Sequence, residues 1–300
     1  MPILGISAAQ NVKSFLAPNV FLILSQGGRV DSSTDGVTWQ QRATLPSTHE
    51  WQTWKSIEYG KRIIVALTTE AVAASSTDGI TWTQRTLPAN VDWSSVKYGG
   101  EVFAAVANGS SIAATSTDGI TWTQRTVPVS AAWRSVAYGN GVFAAVASSS
   151  AIAASSTNGI TWTQRTLPAS LNWEAVAYGA GKFVAVATGS STAASSTDGI
   201  TWTQRTLPSS AGWMSIIHAN GLFVAGSYNG DIITSTDGIT WDAASVPVPY
   251  GEWYSLAYGN GKFVALSWYS DFAVYSDNGT TWTLTSLLEM TSWYRIIYAG

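Results

Sequence analysis

One thirteen-residue segment recurs along the chain and limits what the chain can fold into. The sequence Ser-Thr-Asp-Gly-Ile-Thr-Trp-Thr-Gln-Arg-Thr-Leu-Pro stands at 76–88 and again, unchanged, at 196–208. Copies with one substitution each occupy 116–128 and 156–168, and three more diverged copies keep the turn and its tryptophan. The tryptophans of the seven copies are Trp39, Trp82, Trp122, Trp162, Trp202, Trp241 and Trp282. Their spacing of about 40 residues predicts a tandem array of seven units.

Each unit is predicted to contain four short strands, and the clearest unit runs from 133 to 168. Its first strand alternates and is rich in β-formers, its second is a nearly continuous apolar run, and its third consists of small residues. Gly139-Asn140-Gly141 and Thr157-Asn158-Gly159 are turns with residues suited to positive φ. The four strands are predicted at 133–138, 142–147, 151–155 and 160–166.

Four strands in each of seven units predict an all-β fold, a seven-bladed β-propeller of four-stranded antiparallel blades. An extra first strand, Trp293–Tyr298, follows the last unit, whereas the opening strand Phe21–Ser25 lacks a good first strand of its own. We therefore expect C-terminal strand 293–298 to pair with the first blade and close the ring. The predicted domains are a propeller at 13–300 and a segment at 1–12 that lies outside the repeat.

Composition narrows the function classes. Charged residues make up 11 % of the chain and the formal net charge is −3, so no nucleic-acid partner is expected. No apolar run approaches the roughly 20 residues of a membrane helix, so no membrane insertion is expected either. Cysteine is absent, which excludes disulfides and thiol catalysis. No metal-ligand spacing and no glycine loop before a helix occur, so no cofactor is expected; calcium held by backbone oxygens is left open.

The repeated Ser-x-Asp-Gly-x-Thr-Trp resembles the Asp-box, or bacterial neuraminidase repeat, of sialidases and related propellers. It is one residue shorter between Asp and Gly than the usual box, and only 276–282 keeps the longer spacing from Asp to Trp. The resemblance implies a folded turn between the third and fourth strands, in which the Asp binds backbone N–H groups and the Trp packs inside. A short carboxylate can cap its own turn, and Gly supplies the left-handed position. The box aspartates are therefore expected to be structural: Asp35, Asp78, Asp118, Asp198 and Asp237.

The loops differ in how much they vary between units. The turns between first and second strands, and the boxed turns, are nearly uniform, and strand alternation puts both at one end of the ring. The other loops lie at the opposite end and are diverse, which favours a binding face there; relaxed constraint on surface loops is the alternative. Aromatic rings beside amides and carboxylates suit sugar recognition, or they merely pack over the rim. The predicted ligand-binding residues are Trp51, Tyr228, Asn229, Asp231, Tyr250, Glu252, Trp268, Tyr269 and Asp271.

The first residues, with Ile3-Leu4-Gly5-Ile6, resemble the opening of many tailed-phage structural proteins. The resemblance implies a virion protein whose segment 1–12 docks on other virion proteins, with the particle surface as its location. An ordinary edge strand is the alternative for this segment, and a soluble, extracellular-facing protein is the alternative location. The leading interpretation is a non-enzymatic protein that recognises a host-surface glycan or protein through the variable face, with carbohydrate as the favoured ligand. The alternative is a purely structural virion protein that docks other viral proteins.

A sialidase-like glycoside hydrolase is the third interpretation, because the box resemblance suggests it. That chemistry requires two facing carboxylates. The first strands offer only scattered candidates, at inequivalent positions, so the sequence predicts that the protein is not an enzyme. These candidates are Glu58, Lys97, Arg134, Glu174, His218 and Arg295.

Overall fold

The structure is a computed structural model that describes residues 19–248 and 250–300. The predicted docking segment 1–12 lies outside the described residues. Within the described ranges the regular secondary structure is entirely β-strand, and no helix is present that could cross a membrane.

The strands are numbered in chain order. They are β1 (Val20–Ser25), β2 (Arg29–Ser33), β3 (Gln40–Thr44), β4 (Trp54–Gly60), β5 (Ile63–Thr68), β6 (Val72–Ser76), β7 (Thr83–Thr86), β8 (Asp92–Gly99), β9 (Val102–Ser116), β10 (Thr123–Gly139), β11 (Val142–Ser148), β12 (Ser150–Ser156), β13 (Thr163–Gly179), β14 (Lys182–Ser196), β15 (Thr203–Ala219), β16 (Leu222–Ser227), β17 (Ile232–Ser235), β18 (Asp242–Ala243), β19 (Trp253–Gly259), β20 (Lys262–Ser267), β21 (Ser270–Ser276), β22 (Thr283–Thr291) and β23 (Trp293–Ala299).

The strands pair antiparallel in short sheets. Three sheets have four strands each, in the orders β4-β5-β6-β7, β19-β20-β21-β22 and β23-β1-β2-β3. The strands from β8 to β18 are connected as one run of eleven. This run is continuous because its long strands serve two neighbours in turn: β10 pairs with β9 along its first half and with β11 along its second.

The two ends of the described chain meet in one sheet. Strand β23 pairs antiparallel with β1, with Phe21 opposite Tyr298 and Ile23 opposite Ile296. The predicted pairing of the C-terminal strand with the opening strand is therefore confirmed.

The apolar core lies between adjacent sheets. In β9, Phe103 and Ala105 pack with residues of β5, whereas Ala104 and Val106 pack with residues of β11. Successive side chains of a strand point to opposite faces, so a strand covered on both faces needs the continuous apolar run that the sequence shows. The largest side chains of this core are seven tryptophans, each with 0 % exposure: Trp54, Trp93, Trp133, Trp173, Trp213, Trp253 and Trp293. Each lies near the start of the first strand of its unit. These first strands are β4, β8, the second halves of β10, β13 and β15, β19 and β23.

Serine side chains join the first strand of one sheet to the first strand of the next. The hydroxyl of Ser56 accepts the N–H of Val96 at 3.1 Å, and that of Ser135 accepts the N–H of Val176 at 3.2 Å. Equivalent bonds are made by Ser95 and Ser255. These contacts set the first strands side by side around a central channel.

The boxed turns are held by their own side chains. Asp35 Oδ1 accepts the N–H groups of Val37 at 2.8 Å and Thr38 at 2.7 Å, and Ser33 Oγ accepts the N–H of Gly36 at 2.8 Å. Gly36 has φ +74°, which a residue with a Cβ adopts only under strain. The turn at Asn158 makes the same bonds at 2.9 and 3.0 Å. The predicted self-capped turn is therefore confirmed.

Asp35→Asn is expected to make the protein less sensitive to acid. Burial alone would raise the pKa of Asp35, but the N–H groups of Thr38 and Val37 and the Ser33 hydroxyl lower the pKa to about 2. A carboxyl whose folded pKa lies below its unfolded value of about 3.9 contributes stability that is fully present above that value and is lost as the pH falls towards about 2. Asn cannot titrate and, as at Asn158, keeps the bonds. The difference between the urea unfolding free energies of the wild type and the variant should stay constant near neutral pH and change below about pH 4, where only the wild type loses stability; a difference that stays constant down to about pH 2 would show that Asp35 carries no such stability.

Both uniform turns lie at one end of the channel, as predicted. Lys61, in the turn from β4 to β5, donates from Nζ to the Thr117 carbonyl at 3.2 Å, beside a boxed turn. Asn260, in the turn from β19 to β20, donates from Nδ2 to the Thr34 carbonyl at 2.6 Å, beside another. The diverse loops therefore share the opposite end, which we call the loop face.

Candidate functional site

A β-bulge follows the buried tryptophan of every first strand. In β10, Trp133 pairs with Ala147 and Ser135 with Val146, so Arg134 is left without a partner in the ladder. The same shift occurs after the tryptophans of β4, β8, β13, β15, β19 and β23. A bulge bends its strand and redirects the side chain of the extra residue. The repeat thus presents one side chain from each first strand at the same level.

These bulge residues line one narrow cavity of about 30 Å³ at the mouth of the channel, together with Asp92 and Arg295. The channel widens beyond it, to cavities of about 120 and 320 Å³. We call the bulge residues the mouth ring: Lys55, Ser94, Arg134, Glu174, Met214, Tyr254 and Tyr294.

The mouth ring was missed as a set at the sequence level, although the sequence carries its signal. The position directly after the tryptophan differs in almost every unit, while the tryptophan itself never changes. The next position is Ser or Ala in all units except the last, where it is Arg295. Comparison of the units position by position would have singled out the ring, because one variable position stands between constant ones.

Charged groups of the ring are partly paired. Arg134 Nε lies 3.6 Å from Glu174 Oε1, which also accepts a hydrogen bond from Ser148 at 3.4 Å. Burial raises the pKa of Glu174 more than its neighbours Arg134, Ser148 and Arg295 lower it. Two buried polar atoms at the mouth, Asp92 Oδ1 and Arg134 Nε, have no hydrogen-bond partner among the described residues. The mouth thus retains unsatisfied donors and acceptors.

An aromatic stack leads from the mouth ring outward. The ring centroids of Tyr294 and Tyr254 lie 6.2 Å apart, and those of Tyr254 and Trp268 lie 5.5 Å apart. Trp268 belongs to the loop between β20 and β21, so the stack connects the channel mouth with the rim of the loop face.

Trp268 borders a surface groove of about 570 Å³ on that rim. Tyr250, Glu252 and Tyr269 line the groove with it. Tyr250 is 88 % exposed and Tyr269 is 63 % exposed, so both rings present most of their surface to solvent. We call this site the rim groove.

Tyr269 holds a strained backbone conformation, with φ +50°. The equivalent positions in three other units are Gly109, Ser149 and Gly189, at φ +68°, +55° and +69°. A bulky residue in this left-handed region is unusual, and such strain concentrates at functional sites. This loop therefore has the same backbone conformation as in the other units but carries the large exposed ring of Tyr269.

The predicted ligand-binding residues do not all meet. Four of the nine, Tyr250, Glu252, Trp268 and Tyr269, line the rim groove. Of the others, the Tyr228 ring packs on Gly212, Asn229 Oδ1 accepts the Gly212 N–H at 2.7 Å, and Asp231 lines a separate groove of about 420 Å³. Trp51 and Asp271 are exposed and border neither groove.

The scattered enzyme candidates divide between two levels of the channel. Arg134, Glu174 and Arg295 converge at the mouth. Glu58 pairs with Lys97 at 2.8 Å, and both line the wider cavity further along with His218. The sequence-level view that these residues do not converge is thus replaced by a cluster of three at the mouth. Within the described ranges, no group of three or more His, Cys, Asp and Glu residues is placed to hold a metal ion.

Sheets of four antiparallel strands, set around a channel by their first strands, define a β-propeller. Residues 35–163 and 92–206 match the family model described as the DUF6242 beta propeller domain, and together they span more than half of the chain. The protein belongs to this family of β-propeller domains. No curated protein matches the sequence.

Solved propellers resemble the structure over most of its length. A streptogramin B lyase aligns with a TM-score of 0.76 at 11 % identity, over 95 % of this chain and 94 % of that one. A catalytically inactive virginiamycin B lyase from Staphylococcus aureus, solved with quinupristin, aligns at 0.73 and 12 %, over 81 % and 87 %. YCF48 bound to D1 peptide aligns at 0.67 and 15 %, over 91 % and 89 %.

These neighbours correct one prediction. The sequence predicted that the protein is not an enzyme, and that prediction is contradicted, because two of these neighbours are lyases. Identities of 11–12 % show a shared fold and transfer no activity. The scattered placement of acids and bases along the first strands is thus no ground for excluding catalysis.

Proposed function

We propose that the protein binds carbohydrate in the rim groove on its loop face. The observation that carries the proposal is the meeting of Tyr250, Trp268 and Tyr269 around one groove with the carboxylate of Glu252. Small-molecule sites are typically concave, of about 300–1,000 Å³, and lined by aromatic groups with a few polar ones. The groove, at about 570 Å³, lies within that range.

The chemistry of the groove fits a sugar. Aromatic rings present flat apolar faces on which the C–H face of a pyranose can stack, and an ionised carboxylate accepts hydrogen bonds from hydroxyl groups. Glu252 is half-buried and provides such a carboxylate beside Trp268, whose backbone N–H donates to the Glu252 carbonyl at 3.0 Å. The strained Tyr269 adds a ring that packing alone does not require, since Gly109, Ser149 and Gly189 serve at the equivalent positions.

We infer further that the ring has seven blades. Twenty-three strands are present, and five of them, β9, β10, β13, β14 and β15, run for 15 to 17 residues and pair in two successive positions. Counted twice, these five bring the total to 28 strand positions, four for each of seven sheets. Seven buried tryptophans and seven bulges support the same count. In this interpretation the boxed turns are shortened Asp-boxes.

We also propose that the propeller is carried on a phage particle, with 1–12 docked on another virion protein and the rim groove facing the host surface. The support is the resemblance of the first residues, including Ile3-Leu4-Gly5-Ile6, to tailed-phage structural proteins. Immunogold labelling of purified particles would place the protein on the virion, and its absence from them would remove this part of the proposal.

A glycan array tests the proposed function. Wild-type protein should bind a defined sugar class, and Trp268→Ala and Tyr269→Ser should each weaken that binding by about two- to tenfold, the loss of one stacking contact. Tyr269→Ser restores the residue found at Ser149, so the fold is expected to tolerate it. Ile160→Thr, which alters an exposed apolar residue at a boxed turn, is the matched control and should bind normally.

Two outcomes of the array would contradict the proposed function. Binding that persists in both groove variants would locate the sugar elsewhere and exclude the rim groove. Absence of binding to every glycan would favour the structural alternative, in which the loop face contacts protein. Exposed Leu288 and Met290 on β22 are the side chains that such a contact would cover.

A further inference from the structure

Two cations of the channel mouth share one aromatic ring. Lys55 Nζ lies 5.1 Å from the ring centroid of Tyr294, and the Arg295 guanidinium carbon lies 4.2 Å from the same centroid. Both side chains line the narrow cavity at the mouth, and both residues are half-buried. Tyr294 is also the inner member of the stack that ends at Trp268 in the rim groove.

Neither cation forms a direct ion pair among the described residues, although Arg295 acts on the Glu174 carboxylate at longer range and helps to lower its pKa. The ion pairs found there involve Arg29, His49, Lys97, Arg134 and Lys262, and none reaches Lys55 or Arg295. Within the described part of the chain, the Arg295 side chain donates one hydrogen bond, from Nη1 to the Tyr294 carbonyl at 3.0 Å. Two half-buried like charges at one ring repel each other and have lost part of their hydration. An anion that binds both in the cavity they line would relieve both costs.

Arg295 also departs from the pattern of the repeat. The equivalent residues in the other six units are Ser56, Ser95, Ser135, Ala175, Ser215 and Ser255. In four of these units the serine accepts an N–H from the next first strand and so joins two sheets. Arginine has no acceptor atom in its side chain, so this contact is absent at the junction of β23 and β4. The substitution thus gives up a structural bond and places a cation at the mouth.

The charged residues that line the mouth include more cations than acids. Three cations, Lys55, Arg134 and Arg295, line the cavity with two acids, Asp92 and Glu174. Glu174 lies against Arg134, and Asp92 Oδ2 accepts a hydrogen bond from Asn108 at 2.9 Å. Among the described residues, Lys55 and Arg295 are thus the two cations of the mouth without a direct ion pair, and both lie against the Tyr294 ring of the aromatic stack.

We infer that Lys55 and Arg295 form an anion subsite and that the saccharide is acidic. Its carboxylate or sulfate group binds these two cations at the channel mouth, while its sugar rings follow Tyr254 and Trp268 to the rim groove. Charge-assisted bonds to a carboxylate or sulfate are stronger than bonds to a neutral hydroxyl. The inference rests on the proposed carbohydrate function and names the ligand class.

Calorimetric titration with three oligosaccharides of equal length tests the subsite: an oligogalacturonate, a sulfated galacto-oligosaccharide and its neutral parent. At least one acidic probe should bind wild-type protein about tenfold more tightly than the neutral probe, the equivalent of one charge-assisted bond. Arg295→Ser and Lys55→Ser should each remove most of that preference and leave neutral binding unchanged. Both place a residue that the repeat already carries, at Ser255 and Ser94. Arg205→Ser, which removes an outer-strand cation bound to Ser195, should change nothing.

The outcomes separate the two proposals. Equal affinity for acidic and neutral probes, or a preference that survives in both variants, would overturn the anion subsite while leaving the rim groove as a sugar site. Preference for the uronate alone identifies a carboxylate as the anion, and preference for the sulfated probe alone identifies a sulfate ester. Loss of all binding in Trp268→Ala supports the rim groove independently of charge. An unchanged affinity in that variant would instead reject the proposed function itself.

Discussion

Deletion of Trp293–Gly300 is expected to leave no folded monomer. Strand β23 supplies Trp293 and Ile296, with exposures of 0 % and 3 %, to the core against β1. Removing one large buried aromatic side chain costs about 3–5 kcal/mol, and a whole domain has only about 5–15 kcal/mol of stability. The truncated chain would also expose the apolar edge of β1 as an unpaired strand, which promotes aggregation.

Thermal unfolding and size-exclusion chromatography check this expectation. The truncated protein should show no cooperative transition and should elute as aggregate. Tyr294→Ser is the matched control, because it changes a bulge residue of the same strand and leaves the β23–β1 ladder intact. A monomeric truncated protein with an unchanged melting temperature would contradict the role of β23 in joining the chain ends.

Trp133→Ala is expected to destabilise the protein by about 3–5 kcal/mol. Trp133 is fully buried between two sheets, where it packs with Val102 and Phe143. Its indole N–H donates to the Val129 carbonyl at 3.3 Å, so the substitution also leaves that acceptor without its partner. The substitution leaves a cavity between two sheets. Because the other contacts between these sheets keep their spacing, the sheets cannot move together to fill the cavity.

Urea denaturation measures this loss, and Trp51→Ala is its matched control. Trp51 is 80 % exposed, so the same chemical change there should alter the unfolding free energy by no more than about 0.5 kcal/mol. Equal losses in the two variants would mean that the buried tryptophans do not carry the packing between sheets.

Much of the fold could be predicted from the sequence because each local sequence pattern recurs in several units. The runs at 102–107 and 142–147 are apolar on both faces, and the strands they form are covered on both faces. The Ser-x-Asp-Gly turn could be predicted because Asp35 and Gly36 act locally, within three residues. The pairing of β23 with β1 followed from a first strand left over at one end and missing at the other.

The candidate site was predicted only in part, for a physical reason. Tyr250 and Trp268 lie on adjacent loops of one unit, and alternation of strands suffices to bring them together. The mouth ring depends instead on a bulge that redirects Arg134 and its equivalents into the channel. Strand alternation alone does not reveal a bulge, and side chains about 40 residues apart meet only after the ring has closed. Tyr228 and Trp51 were predicted because they are aromatic residues of the diverse loops, and that placement does not determine which groove a side chain borders.

The measurement that tests the central claim most directly is a crystal structure of the protein with a saccharide selected by the array. We expect electron density for a sugar ring against Trp268 and Tyr269, with an acidic group bound to Lys55 and Arg295. Sugar density at the boxed turns, or in the groove beside Asp231 with the rim groove empty, would contradict it.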